Sequence, residues 1–350
     1  MDDRLEGKST DPASCIDVGF FRPDDAPGIA RLFRAVYGEE YPVRMFYDPE
    51  ALTQANANGN YYSLVARNAA GEVVGVVHAF RSTPYKALYE LGAGLVLPNY
   101  RGIGINKRIF RFIFQDWVPT VDSIEETFGE AVCNHVHNQK EILTHKHVET
   151  ALEVALMPAR AYDKEKSASG RVATLLAFRC YRPRPHTVFL PAAYETELRR
   201  IYARVDDRRE LRVSEASLPE DAASAADMTV FDFARVARIA VHHSGRDFGA
   251  CINNLEPQAV SQKAVVIQVW LNITDPWVSA AVDILRNKGY FFGGPLPRWF
   301  DGDGFLMQKL LCDPEFEGIR LYTDASRELL EIVKNDWSRA QAQIQGSQTV

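Results

Sequence analysis

Residues 89–114, YELGAGLVLPNYRGIGINKRIFRFIF, restrict what this chain can fold into more than any other stretch. A run that reads as a strand from about Ala87 to Leu97 breaks at Pro98, passes Gly102 and Gly104, and becomes a helix with Ile105, Ile109, Phe112 and Ile113 on one face. A strand delivered through a glycine turn straight into a helix leaves the first helical N–H groups without intrahelical partners. Such groups bind anions, the helix dipole adds to the attraction, and bare backbone at two glycines lets a phosphate come close. Arg101 and Lys107 supply charge, while Asn106 stands where a third small residue would suit such a site. The plain alternative is an ordinary tight strand-to-helix turn.

The surrounding pattern gives the turn a frame. A short strand in DVGFFRPDD precedes a helix over APGIARLFRAVYG, where Ile29, Leu32, Phe33 and Val36 share a face and Gly38 ends it. A second helix follows Asp48 as N-cap and Pro49 at the first helical position. Then YYSLVARN and EVVGVVHAF flank a small-residue turn as a strand pair. After the glycine turn and its helix come a strand EAVCNHVH, a helix NQKEILTHKH, and strands ALEVALMPARAY and RVATLLAFRCY. This order gives an α/β (α+β) fold, a mixed and mostly antiparallel sheet flanked by helices.

RPRPH, residues 182–186, is the natural linker, because its prolines cannot join a ladder and favour extended chain. The organisation expected is a loose arm over residues 1–15, a first domain over 16–181, and a second domain over 187–345. In that second part a long strand TVFDFARVARIAVHHSG precedes a helix near residues 247–262, a strand AVVIQVWLNI, a helix PWVSAAVDILRNKG and two closing strands.

Two familiar phosphate loops fail: G-x-x-x-x-G-K-S/T is absent, and G-x-G-x-x-G breaks because Lys107 stands three residues after Gly104. What stands there, LVLPNYRGIGIN, resembles motif A of the GNAT superfamily of acyl-CoA-dependent N-acyltransferases. That motif reads Q/R-x-x-G-x-G/A after a strand ending in V-x-P, and Arg101, Gly104 and Asn106 occupy its three defined positions, Asn106 as a departure. The resemblance covers about residues 17–181. A second, degenerate copy resembles the closing part of the same fold over about residues 230–312. Its turn, HHSGRDFGACINN, lacks the motif, and Leu285 stands where the family has a tyrosine. Tandem GNAT-like domains are therefore expected, the second noncatalytic; the plain alternative for the second part is an unrelated α/β domain.

The resemblance implies acetyl-CoA or another acyl-CoA as co-substrate. Its pyrophosphate would lie on Arg101, Gly102, Ile103, Gly104, Ile105, Asn106 and Lys107, its pantetheine arm on the backbone of Leu95, Val96 and Leu97, with Asn138 as a further contact. Acyl transfer to an amine needs a base for the amine and an acid for the leaving thiolate. The resemblance places the base on the strand before the turn, where Glu90 is the carboxylate. In the pattern N-x-x-A-x-x-x-Y, Asn138 matches, Glu141 replaces the alanine and His145 stands at the tyrosine, which makes His145 the candidate acid. Plain alternatives are a solvated strand-start residue for Glu90 and a surface histidine for His145.

Cys133, His135 and His137 alternate along the expected strand, but such positions spread over about 13 Å, too far to close a tetrahedral metal site. They fit the acceptor cleft or the sheet better, with Cys133 as an acyl-carrying nucleophile a lesser alternative. No metal is expected. A net charge of -6 gives no basic field, so nucleic acid is not an expected partner. Five scattered cysteines without a C-x-x-C pair fit a reducing compartment. The polar N-terminus and the lack of about 18 consecutive apolar residues point to a cytoplasmic protein with no membrane partner. The expected acceptor is a small-molecule amine or a protein amine, with a homodimer left open as an assembly. The reading from another class is a noncatalytic acyl-CoA-binding sensor or adaptor.

Overall fold

The computed structural model describes residues 16–159 and 170–348; the arm expected over residues 1–15 lies outside them. The chain divides into two compact units, one of residues up to Phe80 with Leu91–Val121, the other of Arg81–Glu90 with Asp122 onward. Both carry sheets flanked by helices: the printed pairs of the first are antiparallel, and the second mixes antiparallel with parallel pairs.

In the first unit, strands β1 (Asp17–Phe20), β2 (Tyr61–Arg67), β3 (Val73–Phe80) and the last six residues of β4 (Leu88–Val96) lie side by side in that order. Helix α1 (Ala26–Tyr37) buries Ile29, Leu32, Phe33 and Val36, the face its spacing specifies, against Val65, Val76 and Leu95. Gly38 ends it at φ 65°, a conformation that costs glycine nothing. Helix α2 (Pro49–Ala57) starts as its sequence indicates: the Asp48 carboxylate accepts from the N–H groups of Glu50 and Ala51. Helix α3 (Ile105–Arg111) runs without a break into a π-helical segment, Phe112–Trp117. It lies so close on β3 that a Cβ at Gly75 would come within 2.7 Å of Ile105 Cγ2.

In the second unit, the first three residues of β4 pair in parallel with β5 (Glu126–Val132), and β5 continues antiparallel to β7 (Arg171–Cys180) and β7 to β6 (Val148–Pro158). The β4–β5 ladder has three pairs, Leu88 with Glu126, Tyr89 with Thr127 and Glu90 with Phe128, and stops there. A further sheet follows the order β10 (Ala225–Phe231), β11 (Val236–His243), β12 (Val266–Asn272), β14 (Gly302–Leu310), β13 (Phe291–Phe300). Its β11–β12 pair is parallel, and the others are antiparallel. Within this unit the order β11-β12-β14-β13 repeats β4-β5-β7-β6, with the parallel pair in the same place and helix α6 (Phe248–Ser261) in the connection between its strands, as α3 is in the connection between β4 and β5. Helices α7 (Val278–Asn287) and α8 (Asp324–Gln348), and a small parallel pair of β8 (His186–Leu190) with β9 (Arg209–Val213), complete the unit with α4 (His137–Thr144) and α5 (Glu195–Tyr202). Trp270 and Trp299 meet edge to face at 4.7 Å, and Trp299 meets Phe128 at 5.3 Å, filling the core between strands of the two sheets of this unit. No described helix is long and apolar enough to cross a membrane.

Two expectations about elements change. The strand expected over EAVCNHVH is instead β5, Glu126–Val132, which starts and ends earlier; Cys133–Val136 turn the chain and His137 opens α4. The strand is buried on both faces at its start, so no alternation marked it. Cys133, His135 and His137 therefore do not alternate on a strand. The long strand expected from Thr229 is a hairpin, β10 and β11, folded at Asp232–Arg235 with Arg235 at φ 54°. Asp232 accepts from the Arg235 N–H at 3.2 Å through its carbonyl and closes the turn.

Candidate functional site

Strand β4 carries LYELGAGLV. Ala93, between Gly92 and Gly94, sits at φ 49°, a left-handed residue within the strand that bends it as a bulge does. Leu97 donates its N–H to Val74 O at 2.9 Å, and a short 3-10 turn, Pro98–Tyr100, follows. Asn68 donates to the Tyr100 hydroxyl at 3.0 Å, and Arg101 Nε donates to Val96 O at 3.2 Å, so the exposed guanidinium stem folds back over the strand end. Gly102 and Gly104 have φ of 83° and 84°, and a Cβ built on either meets nothing within 4 Å. Their lack of side chains is required by backbone conformation and leaves open space in front of the turn.

Gly104 is the N-cap of α3 and offers no side-chain cap, so the first amides of the helix, beginning at Ile105, have no capping side chain. Asn106 is the second helical residue, half-buried, and takes no left-handed conformation. The unusual backbone belongs to the two glycines before it. Leu95 is buried in the unit's core, Val96, Leu97 and Ile103 are half-buried, Ile105 is buried, and Lys107 is exposed. The exposed members of the expected set are Arg101, Gly102, Gly104 and Lys107, while Leu95 and Ile105 face the core.

The second repeat shows the same turn closed. Between β11 and α6, a Cβ at Gly245 would lie 2.2 Å from Ala222 O, Arg246 donates its N–H to that oxygen at 3.2 Å, and Asp247 accepts from Ser224 N at 2.7 Å. At this turn the backbone of Ala222 packs against Gly245, and Arg246 and Asp247 bond to the same preceding segment.

In the second unit, Glu90 is half-buried at the end of the β4–β5 ladder and belongs to a group of three carboxyls around one guanidinium. Arg238 on β11 donates through Nη2 to Glu153 Oε1 on β6 at 3.1 Å and stands 3.6 Å from Glu130 Oε1 on β5. Arg238 Nε donates to Gln268 Oε1 at 2.8 Å, and Gln268 Nε2 donates to Glu153 Oε1 at 2.8 Å. Thr174 Oγ1 holds the other Glu153 oxygen at 2.8 Å. Burial pushes the Glu90 carboxyl up to about 7, opposed by a hydrogen bond with Ser82 and by Arg238 and reinforced by Glu153. Burial, then Glu153 and Glu90, holds Glu130 well above the usual carboxylate range. Neither Glu130, Glu153, Arg238 nor Gln268 was expected from sequence, although Glu153 within an apolar strand and Arg238 between valines and alanines are the kind of misplaced charges that signal such a group.

Asn138 and His145 stand at opposite ends of α4, Asn138 as its exposed second residue and His145 as its C-cap. The His145 carbonyl accepts from Arg179 Nη1 at 3.0 Å. Burial, then Arg179, lowers the His145 pKa, so its ring is neutral near pH 7. Cys133 is 1% exposed and burial pushes its thiol far above the ordinary value, which leaves no thiolate for nucleophilic work.

No protein-family model matches the chain, and no curated protein matches it. Among solved structures, the chain is similar to the ribosomal-protein-S5-alanine acetyltransferase of Vibrio fischeri, with 15% identity over 47% of this chain and 92% of that one, TM-score 0.38. It is similar to a GNAT superfamily phosphinothricin acetyltransferase of Sinorhizobium meliloti in complex with AcCoA, with 20% identity over 48% of this chain and 89% of that one, TM-score 0.38. An N-acetyltransferase of Staphylococcus aureus gives 10% identity, 47% and 98% coverage and a TM-score of 0.39.

Proposed function

We propose that the chain is an acyl-CoA-dependent N-acyltransferase that moves an acetyl or other acyl group to an amine by direct attack. The observation that carries this reading is the glycine turn at the end of β4: two left-handed glycines with open space before them, an uncapped helix start, and Arg101 and Lys107 alongside. In this reading the turn holds the pyrophosphate of the acyl-CoA, and the end of β4 offers backbone to the pantetheine arm. Asn138 is a further contact.

Glu90, in the strand that leads to the turn, acts as the base. Burial raises the Glu90 carboxyl to about 7, which makes its carboxylate a better proton acceptor than an ordinary glutamate and brings it closer to the pKa of an ammonium acceptor. The free amine forms the C–N bond as the thioester carbonyl opens, the C–S bond breaks as the tetrahedral intermediate collapses, and the proton released by the nitrogen passes through solvent to the departing thiolate. The neutral ring of His145 offers that thiolate an N–H in place of an imidazolium proton.

The domain division proposed is a catalytic GNAT-like domain over residues 16–181 and a noncatalytic one over 187–345. The repeated strand order supports the pairing, and the Ala222 carbonyl at Gly245 supports the second member's loss of anion binding. The acceptor class is a small amine or a protein amine, and the setting proposed is the cytoplasm.

The test is release of free CoA from acetyl-CoA across a panel of amines, alongside calorimetric binding of acetyl-CoA. Binding with amine-dependent thiol release supports the enzyme. Tight binding without release by any amine identifies a noncatalytic acyl-CoA sensor, and absence of binding removes both readings.

A further inference from the structure

Glu126 opens β5 and stands directly opposite Cys180, the last residue of β7, in the antiparallel ladder. Opposed residues share a sheet face with their Cβ atoms about 5 Å apart. Asp207, in the segment between α5 and β9, joins them: one ligand-type atom of each residue lies within 4.8 Å of those of the other two. Glu126 is 0% exposed, and neither of its carboxyl oxygens has a hydrogen-bond partner. A buried carboxyl left so costs on the order of several kcal/mol, and native proteins rarely keep one without something that completes it.

The neighbouring cations are engaged by two aspartates. Arg209 binds Asp303 through Nε at 2.6 Å and Nη2 at 3.3 Å, and Arg298 binds Asp207 through Nε at 2.9 Å. His186 directs Nε2 to Asp303 at 3.2 Å. Asp207 Oδ1 also accepts from the N–H groups of Arg184 at 2.9 Å and Arg208 at 2.7 Å, and His186 Nδ1 stands 3.9 Å from Asp207, so the arginines and His186 are directed at the two aspartates and none of them reaches a Glu126 oxygen as a hydrogen-bond donor. A divalent ion would displace the protons of the Glu126 carboxyl and the Cys180 thiol and meet two negative charges with two positive ones. Tetrahedral zinc needs Zn–S of about 2.3 Å and Zn–O of about 2.1 Å, hence donors about 3.5 Å apart, which side-chain shifts of about 1 Å supply here.

We propose that Glu126, Cys180 and Asp207 bind a zinc-type divalent cation through one thiolate and two carboxylates, tying β5 and β7 to the segment before β9. The site is structural and independent of the acyltransferase reading. The rival occupant is water bridging an ionised Glu126 to the unpartnered Nη atoms of Arg298 and Nη1 of Arg209.

The test uses the full chain, stripped of metal and titrated with Zn²⁺ against a chromophoric chelator, then with Co²⁺ as a spectroscopic probe. One zinc per chain and a sulfur-to-cobalt charge-transfer band are expected, with affinity rising with pH as two protons are released. Cys180→Ser should remove the band, and Glu126→Gln should weaken zinc at least about tenfold while leaving circular dichroism unchanged. A stripped wild-type chain that takes up no zinc on titration, a band that survives Cys180→Ser, or a folded Glu126→Gln chain that binds as tightly as wild type each overturns the site. The wild-type titration decides the matter even where a variant does not fold.

Discussion

Arg238 Nη2 donates to Glu153 Oε1 at 3.1 Å across 85 residues of sequence, and after burial and the Ser82 hydrogen bond both charges act on Glu90, Arg238 lowering its pKa and Glu153 raising it. The Glu153 charge raises Glu90, so removing that charge lowers the Glu90 pKa. Glu153→Gln should therefore move the acid limb of the kcat/KM profile to lower pH, measured with acetyl-CoA and a responsive amine. A limb that stays in place or moves to higher pH would show that Glu90 does not govern it.

Replacing Glu90 with glutamine should cut turnover by about 10²–10⁴-fold while acetyl-CoA affinity stays near wild type, the range for loss of a positioned base. In wild type the rate should rise with pH through about 7, the value to which burial raises the Glu90 carboxyl. The variant should lose that limb. Equal losses in binding and turnover would place Glu90 in ligand binding.

The same carboxyl affects stability in the opposite sense. Its folded pKa is raised, so its contribution is fully present below the unfolded value of 4.5 and is lost as pH rises through about 7. Chemical denaturation of wild type and Glu90→Gln should show the variant gaining relative stability across that window. A constant difference from pH 4.5 to 7 would contradict the raised pKa.

Gly104→Val places a β-branched residue at φ 84° and fills the open space before the turn. Acetyl-CoA binding should be lost, for a stability cost of about 1–3 kcal/mol from the strained backbone. Wild type should bind one acyl-CoA per chain, since the Ala222 carbonyl blocks the second turn. Calorimetry reads both, and unchanged affinity in the variant or two sites in wild type would refute the assignment.

Gly294, at φ 127°, would bring a Cβ to 2.2 Å from Thr150 O and 2.6 Å from Ala151 Cα. Both are backbone atoms and cannot swing away. Gly294→Val should cost about 3 kcal/mol in urea unfolding, combining strain with overpacking. A loss below about 1 kcal/mol would mean that β13 and β6 adjust freely at this point.

Much of the first unit was legible because local rules carried it. The face of α1, the Asp48 cap and the glycine turn each depend on residues a few positions apart, and each formed as read. Strands buried on both faces were less legible: β5 began before its expected start because Thr127, Phe128 and Gly129 show no polar alternation. The hairpin at Asp232–Arg235 was read through as one strand because the sequence there is mostly apolar on both sides.

The sequence by itself determined where bare backbone meets a helix start, since φ near 84° at Gly104 admits little but glycine. Only the tertiary structure decided which carboxyls share an environment. Glu90, Glu130 and Glu153 lie on different strands, and Arg238 reaches them from a fourth. Their proton affinities come from burial and mutual charge, and these exist only once distant segments are brought together in a medium of low polarity.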